Sequence, residues 1–345
     1  MSLDKKWLWI FAVICFVLVF SVSVIAKEKQ ITLKLATLAP EGSAWMRVFN
    51  KGNRELVSRT GGLVRMRAYP GGVMGDDEAV LRKMRIGQIQ IAGLMGMSLG
   101  KINKEFHVLG APFLFRNYEE VDHVLPEITG RLEKALEDKG YVLLGWSEIG
   151  FVYMMSKKPM SSLEAIRKAK VWMPEGNPMS QAVFKKAGVS TVPLAVSDVL
   201  LALQTGLVNV IYAPPVGAIG LQWFTKVKYI TRVPLCYSMG AVVMTRKAFE
   251  SIPQDHQKIL KEIFRKNLAP IIAQTRQDNE EALRLLAREG IQHVELRPQE
   301  LERFQKIAQE TMEEIAGRVF SKAILQKVDK LLVRLRGGKL ASVRR

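Results

Sequence analysis

Few residues in this chain could make or break a bond. The four histidines, His107, His123, His256 and His293, are scattered. They show neither the HExxH spacing that sets two imidazoles on one helix face nor any other paired-ligand spacing for a metal. No G-x-S-x-G elbow, P-loop or dinucleotide-binding glycine pattern is present, so acyl, phosphoryl and hydride transfer all lack their usual apparatus. Cys15 has no run of small residues before it to direct lipidation, and Cys236 stands alone in the rest of the chain. A single thiol forms no intramolecular disulfide and is more often a packed side chain than a nucleophile. What the pattern does set at strand ends is apolar and aromatic: Met95, Met97, Trp172, Tyr212 and Trp223. Such groups enclose a ligand rather than transform it. The sequence implies no cofactor and no catalytic set.

The elements that must position these residues are clearest between 170 and 215. Lys170 to Met173 is a short apolar run stopped by Pro174, and Pro178 to Ala187 has helical patterning that Gly188 ends. A strand over Thr191 to Leu194 leads to a helix that Ser197 is placed to cap, with Asp198 in its first turn and Gly206 at its end. Leu207 to Tyr212 is apolar enough for a buried parallel strand, halted by Ala213-Pro214-Pro215. Residues 63 to 96 repeat this grammar: strand, Gly-Pro turn, a helix from Asp77 to Arg85, Gly87, then a strand over Gln88 to Leu94. Two such units suit two similar lobes.

Around them, Ile31 to Thr37 alternates like a strand, and Ser43 caps an amphipathic helix to about Arg59. Phe106 to Phe115 is irregular and apolar, Tyr118 to Val124 and Glu127 to Lys139 are helical, and Tyr141 to Trp146 and Phe151 to Met155 read as two strands. Val227 to Thr231 and Ala241 to Thr245 are further strands, and from Pro253 to about Phe320 long charged helices brace the two lobes.

The chain has 345 residues, 48% hydrophobic and 24% charged, which fits two ordinary domains with cores of their own. Residues 1–26 have the layout of a secretory signal: Lys5 and Lys6, an apolar run from Trp7, then Val24-Ile25-Ala26 before Lys27. The rival reading is a retained membrane anchor, since the run approaches a spanning length. The net charge of +18 raises the question of nucleic acid, but the export signal and the even spread of Lys and Arg argue against it. Only the end, LLVRLRGGKLASVRR, concentrates charge, and it reads as a solvated basic tail.

Several of these segments carry a family resemblance. Gly75-Asp76-Asp77-Glu78, Ala111-Pro112-Phe113, Val171-Trp172-Met173-Pro174 and the run Pro193 to Asn209 with Ala202-Leu203-Gln204-Thr205-Gly206 resemble the solute receptors of tripartite ATP-independent periplasmic (TRAP) transporters. The likeness extends from about Ile31 to about Arg318. It implies an α/β, periplasmic binding protein-like fold: two α/β lobes, a ligand cleft between them, crossing strands and long C-terminal helices. The implied division is a signal peptide at 1–26, lobe 1 at 27–152 and 240–270, lobe 2 with bracing helices at 153–239 and 271–320, and a basic tail at 321–345.

The resemblance also implies a site, and here the chain departs from the family. Where members usually clamp an acid with arginine, Trp172 stands. The region of a second arginine holds Phe151, Val152 and Tyr153, and Ala213 stands where an asparagine is frequent. An indole offers one N–H and a broad apolar face, whereas a guanidinium offers a rigid fork to a carboxylate. The expected ligand-binding set is therefore Trp172, Leu38, Met95, Met97, Val152, Tyr212, Ala213, Trp223 and Tyr237, around a small, largely hydrophobic organic molecule. Trp172 with Gln222-Trp223 looks most like the subgroup that works beside a tetratricopeptide-repeat partner. The expected partners are the ligand, the TRAP permease subunits and that repeat protein, in the periplasm. The alternatives are a carboxylate receptor using Arg232 or Lys157, and a membrane-anchored sensor or enzyme.

Overall fold

The computed structural model describes residues 30–343, so the expected signal at 1–26 lies outside the described residues. The first part of the chain forms β1 (Ile31–Ala36), α1 (Ala44–Arg59), β2 (Val64–Tyr69), α2 (Asp77–Arg85), β3 (Ile91–Met95), α3 (Gly96–Ile102), a 3-10 segment (Lys104–Gly110), α4 (Tyr118–Glu137) and β4 (Tyr141–Ser156). Next come α5 (Leu163–Arg167), β5 (Val171–Pro174), α6 (Pro178–Lys186), β6 (Thr191–Leu194), α7 (Val199–Thr205), β7 (Val210–Ala213), α8 (Pro215–Gly220) and β8 (Tyr229–Thr231). The last part holds β9 (Cys236–Thr245), α9 (Arg246–Glu250), α10 (Gln254–Arg288), β10 (Gln292–Val294), α11 (Pro298–Ile315) and α12 (Lys322–Val343).

The strands follow the order β2-β1-β3-β9-β4-β7-β5-β6, with β8 pairing β4 and β10 pairing β8. The parallel strands β2, β1 and β3 make the sheet of the first lobe, and β7, β5 and β6 that of the second. The antiparallel pair β4 and β9 runs through both. Helix caps fix where the helices begin. Ser43 accepts from the Met46 N–H to start α1, and Asp76 accepts from the Ala79 N–H to start α2, each satisfying a donor the helix leaves free.

Helices cover both faces of the sheets. On one face of the first lobe, α1 and the front half of α10 enclose Leu35, Phe49, Leu56, Ile91, Met244 and Phe264. In the second lobe, α7, α8 and the end of α10 enclose Trp172, Leu203, Ile211, Trp223 and Leu286. On the opposite face a single core runs unbroken from Leu94, Leu99 and Phe106 through Tyr237 to Met154, Met179 and Phe184. That core joins the two lobes.

Four local expectations change. Tyr141 to Trp146 and Phe151 to Met155 are one 16-residue strand, because the register shifts at Leu143/Gly145 and Glu148/Gly150 absorb the irregularity without breaking pairing to β9. β9 begins at Cys236 rather than Ala241. Ser197 does not cap α7; a 3-10 turn over Val196–Asp198 precedes that helix, and the Ser197 hydroxyl turns to Asp198 instead. The supposed solvated tail is largely helix. In α12, Ile324, Val328 and Leu332 are buried against the body of the protein, and α12 packs on α4. Arg336 pairs with the buried Glu120 at 2.8 Å and donates to the Leu114 carbonyl. Its charges had masked an apolar stripe spaced every four residues.

Candidate functional site

The strand directions define a cleft. β3 ends with Met95 opposite Gly240 of β9, which faces Ser147 of β4, while β7 ends with Ala213 opposite Tyr153 of β4. The carboxyl ends of both parallel sets thus point at each other across the middle of β4. From Ser147 to Tyr153 the separation along the strand is about 20 Å, at ~3.3 Å per residue. Outside strand carboxyl ends is where open α/β sheets take ligands.

The second lobe's wall is aromatic. Trp172 on β5 is 3% exposed, with its ring centroid 5.3 Å from Tyr212 and 5.1 Å from Trp223. Its indole N–H donates to the Leu194 carbonyl at 3.1 Å, so the one polar group of this side chain is already engaged. Tyr212 also meets Phe184 of α6. The Tyr212 hydroxyl is buried without a hydrogen-bond partner; Ser180 is its polar neighbour, but not in bonding geometry. Burial pushes the Tyr212 phenol well above its usual range and the nearby Cys236 thiol up to about 12. A thiol so held stays protonated and is a poor nucleophile.

The nine expected residues do not form one contiguous set. Trp172, Tyr212 and Trp223 come together, with Trp223 behind Trp172 in the core of the second lobe. Ala213 pairs with Tyr153 at the strand end, and Val152 pairs with Cys236; both are buried. Leu38 and Met95 lie across the cleft at the ends of β1 and β3, about two-fifths exposed (40% and 38%), with Met97 half-buried in α3. Tyr237 turns away into a cluster with Phe115, Tyr118 and Phe151.

The two cations suggested for an acid group are already engaged. The Lys157 ammonium donates to the Leu203 carbonyl, and Arg232 pairs with Glu295 at 2.8 Å. Lys157 follows the outer end of β4, away from the strand ends that face the cleft, because β4 meets β7 there at Ser156 opposite Val210, whereas Arg232 follows the carboxyl end of β8, the strand that pairs with β10.

Sequence reasoning missed Lys101. It ends α3 in the first lobe and pairs with Glu78, and a Cβ placed on Gly176 of the second lobe would stand 3.7 Å from its ammonium. Beside it, burial raises the Asp77 carboxyl, partly offset by the Met95 N–H at 3.0 Å, Ser98 and Lys101. His107, packed against Gly100, is lowered by burial and by Lys101. The lobes also meet at Gly110, whose nearest neighbour is the Met179 methyl. Contacts between elements so distant in sequence leave no local signal.

Between the lobes lies a buried ionic hub, also missed. Glu148 of β4, its side chain 2% exposed, takes Arg276 of α10 at 2.9 Å, and Arg276 reaches Asp122 of α4 at 2.6 Å and stacks over Tyr118. Burial raises the Glu148 carboxyl and the guanidinium offsets part of that rise. Asn279 donates to the Ile149 carbonyl and accepts from the Val216 N–H, so α10 grips the irregular middle of β4 and the second lobe together. Among the described residues no cluster of metal-ligating side chains occurs and no helix is long and apolar enough to cross a membrane.

The model of bacterial extracellular solute-binding proteins, family 7, matches residues 35–318. Curated relatives align at 24–27% identity, and the chain spans 62–68% of their own length. One is the 2,3-diketo-L-gulonate-binding periplasmic protein of Escherichia coli, 24% identical over 61% of this chain and 64% of that protein. A TRAP periplasmic solute-binding protein from Ochrobactrum anthropi superposes with TM-score 0.81 at 23% identity, covering 92% of this chain and 99% of the other. The sugar acid binding protein of Advenella mimigardefordensis, in complex with galactonate, gives TM-score 0.79 at 21% identity over 88% and 99%.

Proposed function

The chain belongs to family 7 of the bacterial extracellular solute-binding proteins, and from that premise we propose that it is a periplasmic receptor that closes over one small organic molecule and hands it to a TRAP-type permease. In this reading the first lobe comprises 27–152 and 240–270 with α12 added, and the second 153–239 and 271–320.

The ligand is a molecule with a largely apolar body. The observation that carries this is Trp172: its N–H is occupied by Leu194, and Tyr212 and Trp223 pack against its ring. An ionised carboxylate buried there would lack a partner, and an uncompensated buried charge costs several kcal/mol. Removing ~150 Å² of hydrocarbon from water instead contributes about 4 kcal/mol before the entropy losses of binding. A second reading is favoured by the galactonate-binding neighbour: an organic acid whose carboxylate sits at the cleft rim near Lys101, once Glu78 releases it.

The test is mass spectrometry of whatever molecule leaves the purified protein on denaturation, followed by titration calorimetry. The apolar reading expects Trp172→Arg to weaken the recovered ligand at least about tenfold, equivalent to ~1.4 kcal/mol, and to admit succinate-sized acids. Tight binding of succinate or galactonate by the unmodified protein, lost in Lys101→Gln, would replace it with the second reading.

A further inference from the structure

The end of the first lobe away from the cleft is where β1, β2, β3 and β4 begin and β9 ends. It holds an open concavity of about 780 Å³ lined by Arg85, Lys139 and Lys247, with no acidic side chain in the lining. All three are exposed, and among the described residues none of their side chains has an ion-pair or hydrogen-bond partner. Of the acids close in sequence, Asp138 is held by Lys134 at 3.2 Å, Glu137 lines the groove on the α10 side of β4, and Glu250 remains on α9. Three like charges around one open space repel each other, a cost that a multivalent anion removes.

Two further features narrow the partner. Ile86, beside Arg85, is 70% exposed, an apolar side chain standing out among the cations. Ile31, half-buried at the start of β1, lines the same concavity and adds a second aliphatic side chain beside the cations. Cations flanking an exposed aliphatic residue are what a lipid interface binds, the charges at headgroup phosphates and the apolar group between acyl chains. We propose that this base docks on an anionic phospholipid bilayer through Arg85, Lys139 and Lys247, with Ile86 entering the interface. The docked receptor keeps its cleft off the lipid and is concentrated at the membrane. The proposal is independent of the ligand reading, since no cleft residue takes part.

The experiment is vesicle sedimentation of the full chain, exported and purified without detergent. Vesicles of phosphatidylglycerol and phosphatidylethanolamine are compared with phosphatidylcholine alone, at low and high salt. Binding should require phosphatidylglycerol and weaken with salt. Arg85→Glu, Lys139→Glu and Lys247→Glu together should reduce it more than about tenfold, since each cation near an anionic surface contributes on the order of a fivefold gain. The matched control reverses Lys322, Lys330 and Arg334, exposed cations on α12 with the same total charge change, and should keep most of the binding. Thermal melts verify that both variants are folded. Equal binding to phosphatidylcholine, no binding to either vesicle, survival after the triple reversal, or an equal loss in the α12 control overturns the proposal.

Discussion

Replacing Arg276 with leucine should destabilise the protein in a way that depends on pH. The change leaves Glu148, 2% exposed at its side chain, without the guanidinium that meets it at 2.9 Å. Removing one partner of a buried pair costs about 3–5 kcal/mol, chiefly the desolvation of the charge left behind. At an unfolding entropy of ~2.1 cal/mol/K per residue over roughly 310 described residues, that lowers Tm by about 5–8 °C. The sign with pH follows from the direction of the Glu148 shift. Its folded carboxyl is raised above the ordinary value of 4.5, so the folded state holds the proton where the unfolded state has lost it. The group therefore favours folding most at low pH, and that contribution falls as pH rises from the unfolded value through the raised one. Without Arg276 the rise is larger, so the gap between wild type and variant should be wide at pH 7 and narrower at pH 5. Thermal melts followed by circular dichroism at both pH values measure it. Glu148→Leu with Arg276→Leu should recover more than half of the loss, because no charge then remains buried. A single variant within about 1 kcal/mol of wild type at pH 7, or a double variant no better than the single, would refute the argument.

Four more outcomes follow from local geometry. Gly150→Ala should cost about 1–3 kcal/mol, since φ is 108° and a Cβ there would stand 2.6 Å from the Asn279 amide nitrogen; Gly130→Ala in α4, with open space around it, should stabilise by about 0.5–1 kcal/mol in the same melts. Arg336→Met should destabilise by about 1–3 kcal/mol. Burial pushes Glu120 up, but Arg336 and the Arg116 N–H outweigh it and hold the carboxyl low, so this stabilisation is present above the unfolded value and lost as pH falls through the folded one. Denaturation at pH 7 and pH 3 should show the difference shrinking in acid. Gly110→Leu should wedge the lobes apart against the Met179 methyl, whereas Gly110→Ala, whose Cβ would meet that methyl at an ordinary 3.5 Å, should not; an unchanged radius of gyration for the leucine variant in solution scattering would argue against interlobe contact there.

How far the sequence reveals this molecule depends on the range of the interaction. Ser43 and Gly206 are readable because a cap and a left-handed residue act within one turn, and both do what their positions suggest, Gly206 at φ 76°. Trp172 and Tyr212 share a wall because parallel strands with similar grammar bring equivalent ends together. Ser197 misleads because the 3-10 turn before α7 takes the place a capped first turn would have had. Lys157 misleads because a strand pattern shows alternation but not which end meets the cleft, which depends on pairing with β7. Arg232 misleads because Glu295, far from it in sequence, takes its charge. Arg276 and Glu148 are 128 positions apart, and each alone reads as a solvated charge.

Closure is therefore governed by more than the two crossing strands. β4 and β9 pair across the hinge with register shifts that leave Gly150 at positive φ, a place where the backbone can bend. α10 passes the same level unbroken, fixed to the first lobe through Ile263 and Phe264 and to the second through Leu283 and Leu286. The chain then returns once more. α11 is tied to the second lobe by Lys186 with Glu310 and by the Leu163 N–H on Glu300, while α12 is tied to the first by Glu120 and Arg336. The short link between them, residues 316–321, is held at the first lobe by Glu105, which accepts from Ser321 and pairs with Arg131. Opening the cleft must bend β4 and β9, tilt α10 and strain this link together. A ligand shifts the lobes only by the difference in its affinity for the two states. Met179 against Gly110 and Lys101 near Gly176 are contacts between the lobes that opening must break. The surface left for a ligand to bury lies at the strand ends, where Leu38 and Met95 are exposed and the aromatic wall stands opposite.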